Sequence, residues 1–538
     1  MPSASSSTVE IFIAMAIYLL AIIAIGLVTA KRAGESSESF FLGGRGLGPW
    51  VAAMSAEASD MSGWLLMGLP GVAFWLGAAD AAWTAIGLFI GTYLNWLFVA
   101  KPLRRYSALA GNAITLPDFF SNRFKEARMK PLLIISSLFI LVFFAVYAGS
   151  CFATAGKLFS QLFGAPYLPM MLLGAIIVIF YTLLGGFLAE SISDLVQGFV
   201  MIAALVVVLV GGVAYAGGFG AVAENIKGIE GFTSFFGMAS PVTDSETGIQ
   251  LVEGGKALFG GASNYGFLTI ISTMSWGLGY FGMPQVLLRF FAIRKLGELK
   301  NARRIATVWC FISMAAAVII GLVGRAVSMT HMSDPAFIAA GGAELFTAAG
   351  AENVFVVLSR MLFHPLVAGV MMAGILAAVM SSSDSYLLIA SSAISKNIYQ
   401  GVFKKSASDK DVMFISRLAL LLVAVFGVLV ALDKDSKIFT IVSFAWAGFG
   451  ATFGPLVLFS LFWKRTSHAG AVAGMVAGGA MVFLWKFLLK PLGGVWGIYE
   501  LLPAFLVSCA VIVAVSLATK APSREIQEEF ELAKTYEV

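Results

Sequence analysis

Apolar runs of about 20 residues recur along the whole chain, separated by short segments that collect lysine, arginine and acidic residues. At 1.5 Å per residue, such a run spans the ~30 Å hydrocarbon core of a bilayer as a helix. The pattern predicts thirteen membrane helices, roughly at 9–30, 50–78, 80–100, 131–160, 168–190, 193–217, 264–290, 305–328, 365–395, 412–433, 437–463, 469–487 and 498–518. The fold class it gives is an all-α polytopic membrane protein, a single transporter-sized domain over 1–538. Segment 218–263 is glycine-rich and weakly hydrophobic, which predicts an external loop with a short surface helix. The polar tail, 519–538, predicts a cytoplasmic amphipathic helix after Pro522.

Composition agrees with this pattern. Of 538 residues, 59% are hydrophobic and 12% charged, about half the charge of a soluble domain. The first run is too long for a signal peptide and has no basic stretch before it. Cys151, Cys310 and Cys509 fall in three separate spans, which argues against a disulfide framework. A net charge of +5 alone would point to acidic partners, but topology explains it better. Lys31, Arg32 and Arg45, the seven basic residues of 101–130 (Arg128 among them), the five of 291–304, Lys396 to Lys410, Lys464–Arg465, and Lys520 with Arg524 all fall on one side of the alternation. By the positive-inside rule that side is cytoplasmic, the N-terminus external and the C-terminus cytoplasmic. The turn between the fifth and sixth spans, near Glu190 and Asp194, is the one cytoplasmic connection without basic charge.

Chemistry concentrates where the apolar pattern is broken. The second span holds Glu57, Asp60, three serines, Gly63 and Pro70 at membrane depth. Such interruptions persist where the opened backbone lines a protein-enclosed cavity. The seventh span carries a second interruption, Ser275 to Gln285, rich in glycine and holding Pro284. The two lie five spans apart and so cross the membrane in opposite senses, the parity of a five-plus-five inverted repeat. The repeats would be 50–217 and 264–463, with one extra helix before (9–30) and two after (469–518). Close helix packing is the other reading of each glycine cluster.

The ninth span adds Ser381, Ser382, Ser383, Asp384 and Ser385. Hydroxyls and main-chain carbonyls suit a hard cation. Ser381 lies one turn from Ala378, so a freed carbonyl and a hydroxyl would face one ion; serines bonding back to their own helix are the alternative. Trp276, Tyr280 and Pro284 share a face if the helix continues through them, as binding surface or as core. Asp194 opens the sixth span as an N-cap or as a low-lying cation ligand. The three histidines have no metal-ligand spacing, and no nucleotide-binding fingerprint is present, which disfavours ATP-driven transport.

These segments resemble the solute:sodium symporter family, and within it the proline branch. The resemblance is carried by Leu42-Gly-Gly-Arg45, Ala58 to Gly71, Trp276 to Gly282, Ala377 to Ser381 and Ser443 to Gly450, and covers essentially the whole chain. It implies the leucine-transporter-like inverted repeat and a sodium site from Ala58, Met61, Ala378, Ser381 and Ser382. It implies proline contacts from Tyr147, Trp276, Tyr280 and Pro284, with Ser62 and Gly63 near the substrate. Asp60 matches the family's acidic residue beside the sodium site, Arg45 a cytoplasmic residue tied to coupling, and Asp194 a position linked to a second cation in some relatives. Three features depart from the proline branch. Ser382 replaces a threonine, Glu57 replaces a glycine, and Met283 and Gln285 flank Pro284 with different side chains.

The expectation is therefore a plasma-membrane symporter, not an enzyme. It would couple L-proline import to sodium as the co-transported ion, with no organic cofactor and no nucleic-acid partner, and with the monomer as functional unit. The same scaffold carrying another amino acid or pantothenate is the alternative; a channel or a sensor stands further away, because the tail after Lys520 is short for a signalling domain.

Overall fold

The computed structural model describes residues 4–33, 37–127, 129–184 and 186–537. Among the predicted basic positions, Arg128 and the side chains of Lys31 and Arg32 lie outside the described residues. The described chain is a mainly helical bundle in which 10 helices are long and apolar enough to cross a bilayer. Three shorter apolar helices, Trp64–Leu76, Tyr167–Leu183 and Phe267–Phe281, stand at the second, fifth and seventh predicted positions. Length and apolarity alone thus account for ten of the thirteen predicted spans. Two of the three short helices are those that glycine and proline interrupt.

The ninth and eleventh spans, Pro365–Phe403 and Ile438–Phe462, are the most enclosed. The two C-terminal helices, His468–Leu492 and Leu501–Ala518, pack on each other and on the eleventh. The expected loop 218–263 contains the helix Phe219–Ile226 and two antiparallel strand pairs, Gly237–Pro241 with Phe259–Asn264 and Val252–Glu253 with Lys256–Ala257. The strands were not foreseen. The short pair turns on Gly254 and Gly255, both at positive φ, as a two-residue hairpin requires. After Pro522 the tail forms the helix Arg524–Ala533, capped by the Ser523 hydroxyl. Phe530 on its inner face packs edge-on against Tyr106.

Glycine does two things in the seventh span. It interrupts the helix, and it brings the span onto the third: a Cβ on Gly277 would lie 2.2 Å from the Gly87 carbonyl oxygen, and one on Gly91 2.3 Å from that of Gly277. Both readings of the cluster therefore hold, packing and interruption. Because backbone rather than a movable side chain stands in the way, Gly277→Ala should cost about 1–3 kcal/mol as overpacking. Thermal melting of the purified variant checks this; a wild-type melting temperature would refute the contact.

Candidate functional site

The second span starts as a regular helix, Pro49–Asp60, and ends where Met61 leaves helical geometry at φ −91°, ψ 76°. Two amide donors are diverted there. The Ser62 N–H bonds Asp60 O at 3.2 Å and the Leu65 N–H bonds Ser62 O at 3.0 Å. In an unbroken helix they would serve Ala58 and Met61, four residues back, so these two carbonyls lose their helical donors. The chain resumes as a wide turn over Trp64–Gly68 and a helix over Leu69–Leu76 with Pro70, which has no N–H to lose, in its first turn. Gly63 allows the fourth span to close in, since a Cβ there would lie 2.3 Å from the Thr154 side chain.

Facing this break, the ninth span is an uninterrupted helix over Pro365–Ser392. The Ser381 hydroxyl donates to Ala58 O at 2.8 Å and approaches Ala378 O at 3.3 Å, and the Ser382 hydroxyl reaches Ala58 O at 3.3 Å. Ala58, Ala378, Ser381 and Ser382 thus converge, with Met61 one turn along the same break. One expectation is corrected: the Ala378 carbonyl is not freed, because its helix is continuous. The released carbonyls belong to the second span. The arrangement offers neutral oxygens in an apolar interior, the donor set for a hard monovalent cation.

In the seventh span a tight 3-10 turn over Ser275–Phe281 gives way to extended Met283, and a new helix runs Pro284–Ala292. Trp276, Tyr280 and Pro284 therefore do not share one continuous helix face, contrary to expectation. Pro284 instead starts the second half-helix and sets Gln285, whose amide reaches Asp60 Oδ1 at 3.4 Å. The Tyr147 hydroxyl donates to Asp60 O at 3.4 Å, and the Tyr147 ring stacks on Tyr386 at 4.3 Å. Tyr280 meets Trp446 edge-on at 5.1 Å, and Trp446 bonds the Trp276 carbonyl at 2.8 Å. Asp60 Oδ2, the Ser62 and Tyr280 hydroxyls and Gln285 Oε1 are buried here without a hydrogen-bond partner among the described residues. Glu57 turns away toward the third span, within 3.4 Å of Trp96 Nε1 and 3.5 Å of the Thr92 hydroxyl.

Asp194 is not an N-cap. The sixth span starts at Phe187, after Gly186, so Glu190 and Asp194 sit inside the helix rather than in the turn before it. Their counter-charge is Arg289, fully buried on the Pro284–Ala292 half of the seventh span, which pairs with Glu190 and lies 3.2 Å from Asp194 Oδ2. Arg289 also bonds the hydroxyls of Ser385 and Ser55, both at 2.9 Å. The sequence contained a signal for it, since an arginine at membrane depth is a functional flag by default. Asp384 borders the same cluster, with Oδ2 unpartnered among the described residues, beside a void of about 10 Å3 shared with Glu190 and Tyr181. Arg45 lies apart. It bonds Phe291 O at 3.0 Å and Ala113 O at 2.7 Å, fastening the end of the seventh span to the segment after the third.

Residues 40–478 match the Sodium:solute symporter family. The chain belongs to that family. The osmoregulated proline transporter OpuE of Bacillus subtilis (strain 168) is 40% identical over 520 residues, covering 96% of each chain. The sodium/proline symporter of Staphylococcus aureus (strain USA300 / TCH1516) is 40% identical over 529 residues, 97% of this chain and 95% of that one. In fold, the symporter matches a Na+-coupled sialic acid symporter, solved substrate-bound and outward-open, with TM-score 0.72 at 17% identity over 96% and 99% of the two chains. Mhp1, a nucleobase-cation-symport-1 family transporter in a closed conformation, aligns with TM-score 0.50 at 12% identity, covering 91% and 98%.

The symporter also has a vestibule of about 350 Å3 on the face that carries segment 218–263. The Trp64–Leu76 part of the second span, the Phe267–Phe281 part of the seventh, the start of the eleventh and residues 486–499, from the end of the twelfth span into the connection after it, line it, with Trp276 on its wall. Trp276 lies between Trp64 at 6.1 Å and Tyr499 at 5.1 Å. Of the residues expected to touch substrate, Trp276 alone lines this vestibule; Ser62, Tyr147, Tyr280 and Pro284 are buried beneath it.

Proposed function

We propose that the chain imports L-proline together with sodium by alternating access, as the names of its 40%-identical relatives suggest. One observation carries the reading: the released Ala58 carbonyl meets the Ser381 and Ser382 hydroxyls next to the buried polar group of Asp60, Ser62, Tyr280 and Gln285. Sodium would bind Ala58, Met61, Ala378, Ser381 and Ser382. Proline would bind below Trp276, among Ser62, Gly63, Tyr147, Tyr280 and Pro284, with its ring on the aromatic faces. Asp60 would lie between the two sites and set the field both cations meet, sodium and the amino group of proline. Glu57, held by the third span, would tie that scaffold to the moving break.

The repeats would be 50–217 and 264–463, with the N-terminus outside, the C-terminus in the cytoplasm and the chain in the plasma membrane. Arg45 and Asp194 would act in coupling from the inner side. Each ligand favours the arrangement that binds the other, so coupling follows from linkage. Carrying one charge with a neutral zwitterion is electrogenic, about 2.3 kcal/mol per 100 mV.

Proteoliposomes test it. An inward sodium gradient should drive proline accumulation, collapsed by a positive interior potential; equal uptake in choline would sink the coupling. Ser381→Ala should weaken sodium about 10- to 150-fold, if an ion–hydroxyl contact is worth the 1.5–3 kcal/mol of a hydrogen bond to a charge. An unchanged sodium dependence would remove Ser381 from the site.

A further inference from the structure

A cavity opens where the start of the first span meets the start of the ninth. Ser7, Thr8 and Ile11 form one wall, Phe363, Pro365 and Ala368 another, and the short helix Pro335–Ala339 a third. Its volume of about 490 Å3 falls in the range of small-molecule sites. At its base the two spans touch, since a Cβ on Gly369 would lie 2.7 Å from the Ile11 carbonyl oxygen. The surface beside it is apolar, with Val9, Phe12, Leu366 and Val370 between 44% and 56% exposed. The cavity lies on the face of segment 218–263: His331, which ends the eighth span just before Pro335, packs on Tyr215 at the end of the sixth.

One side chain gives this apolar space a charge. Arg360, half-buried near the end of the helix Val354–Leu362, lines the cavity. Among the described residues its guanidinium donates only to main-chain carbonyls, Gln161 O at 3.3 Å and Ala339 O and Ala340 O at 3.4 Å. No carboxylate among them stands within ion-pair distance of it. The one acid of the first span, Glu10, faces His364 at 3.7 Å instead. Burial pushes the Arg360 guanidinium below its ordinary pKa, and the more distant Glu344 is the one charge that opposes this. A cation drawn out of water without a counter-charge is costly, and the planar fork of an arginine matches the oxygens of a phosphate.

We propose that this cavity holds an anionic phospholipid, its phosphate on Arg360 and an acyl chain along the apolar seam between the first and ninth spans. The phosphate supplies the missing counter-charge, and the apolar walls take the chain. A zwitterionic headgroup brings its own cation and leaves Arg360 poorly balanced, so net negative charge selects the lipid. On the orientation proposed above the lipid belongs to the outer leaflet. Seated there, it fastens the first span to the helix that carries Ser381 and Ser382.

Native mass spectrometry of the purified, delipidated full-length chain tests it, with phosphatidylglycerol or phosphatidylcholine added back. The basic loops also retain anionic lipid, so the readout is the difference between variants. Arg360→Gln should retain one phosphatidylglycerol fewer than the wild type at equal lipid, its affinity at this site falling about 10- to 150-fold. Ala339→Trp, which fills the cavity from its exposed wall and keeps the arginine, should lose the same molecule. Phosphatidylcholine retention should be equal in all three proteins. Equal phosphatidylglycerol counts in the wild type and Ala339→Trp overturn the site even if Arg360→Gln fails to fold. A loss in Arg360→Gln alone also overturns it, because the lipid then lies outside the cavity. A matching loss of phosphatidylcholine would mean that the cavity takes any acyl chain, against the anionic assignment. Displacement of the lipid by inorganic phosphate would make Arg360 a site for a free anion and end the lipid proposal.

Discussion

Replacing Arg289 by methionine should abolish most transport and lower the melting temperature of the purified chain more than any other single change on the inner side. The guanidinium is fully buried and makes five contacts, to Glu190, Asp194, Ser55, Ser385 and the Gln285 carbonyl. These belong to four different elements. Ser55 lies on the inner half of the second span and Gln285 on that of the seventh, while Glu190 and Asp194 lie on the sixth and Ser385 on the ninth. One side chain thus holds both inner half-helices against the spans beside them, a few residues along the ninth span from Ser381. Methionine fills similar volume but leaves Glu190 and Asp194 buried without their counter-charge, a loss of about 3–5 kcal/mol when one partner of a buried pair is removed. The result that separates charge from packing is rescue: Glu190→Gln in the Arg289→Met background should recover part of the melting temperature, because fewer buried charges then lack a partner. A single variant that melts like the wild type would show that the network carries no stability.

How far the sequence anticipated this centre depends on what each feature needs. The break in the second span was legible because its causes are local: Gly63 and Pro70 weaken the helix, and carboxylates at membrane depth demand a cavity. Ser381 and Ser382 were legible for the same reason. The identity of the freed carbonyls was half legible. Ala58 and Met61 were implied only by the family resemblance and the structure opens their carbonyls, whereas Ala378, read from its spacing to Ser381, was expected to open and does not, since nothing in its helix competes for the amide. Asp194 was misplaced because Phe187 begins the helix two turns earlier than the charge pattern suggested, which turned an interior carboxylate into an apparent cap. The missing basic charge of that connection was a real signal, and its answer lay 95 residues away in Arg289. Long-range pairings of this kind leave no local pattern. The same holds for Gly277, whose partner Gly87 lies in another span, and for Tyr499, which follows the twelfth span in the chain and which the fold returns to Trp276.

On the outer side, Glu352→Ala should have an effect comparable to that of Arg289→Met. Glu352 is almost wholly buried and uses both oxygens: Oε2 takes Lys157 Nζ at 2.7 Å and the Ile438 N–H at 3.0 Å, and Oε1 takes the Phe439 N–H at 3.1 Å. It therefore neutralises a buried lysine and satisfies amides that open the eleventh span, which no helical carbonyl can serve. Lys157 extends the link to Ser436 O at 2.9 Å. The Glu352 backbone also presses on the second span, 2.8 Å from where a Cβ on Gly71 would sit. One carboxylate thus joins the 342–353 segment, the fourth span, the eleventh span and the outer half of the second. Alanine removes the buried pair, about 3–5 kcal/mol, and the amide contacts, about 1 kcal/mol more by analogy with an N-cap. The double variant Lys157→Met/Glu352→Gln should be milder than Glu352→Ala, since glutamine keeps an acceptor for the amides and no lysine charge is left alone. Two readouts decide it, thermal melting and the labelling rate of a cysteine placed at Ser443 by a membrane-impermeant thiol reagent. Glu352→Ala should melt earlier and label faster, as the vestibule wall loosens. Equal melting and equal labelling would mean that this carboxylate does not hold the outer side together.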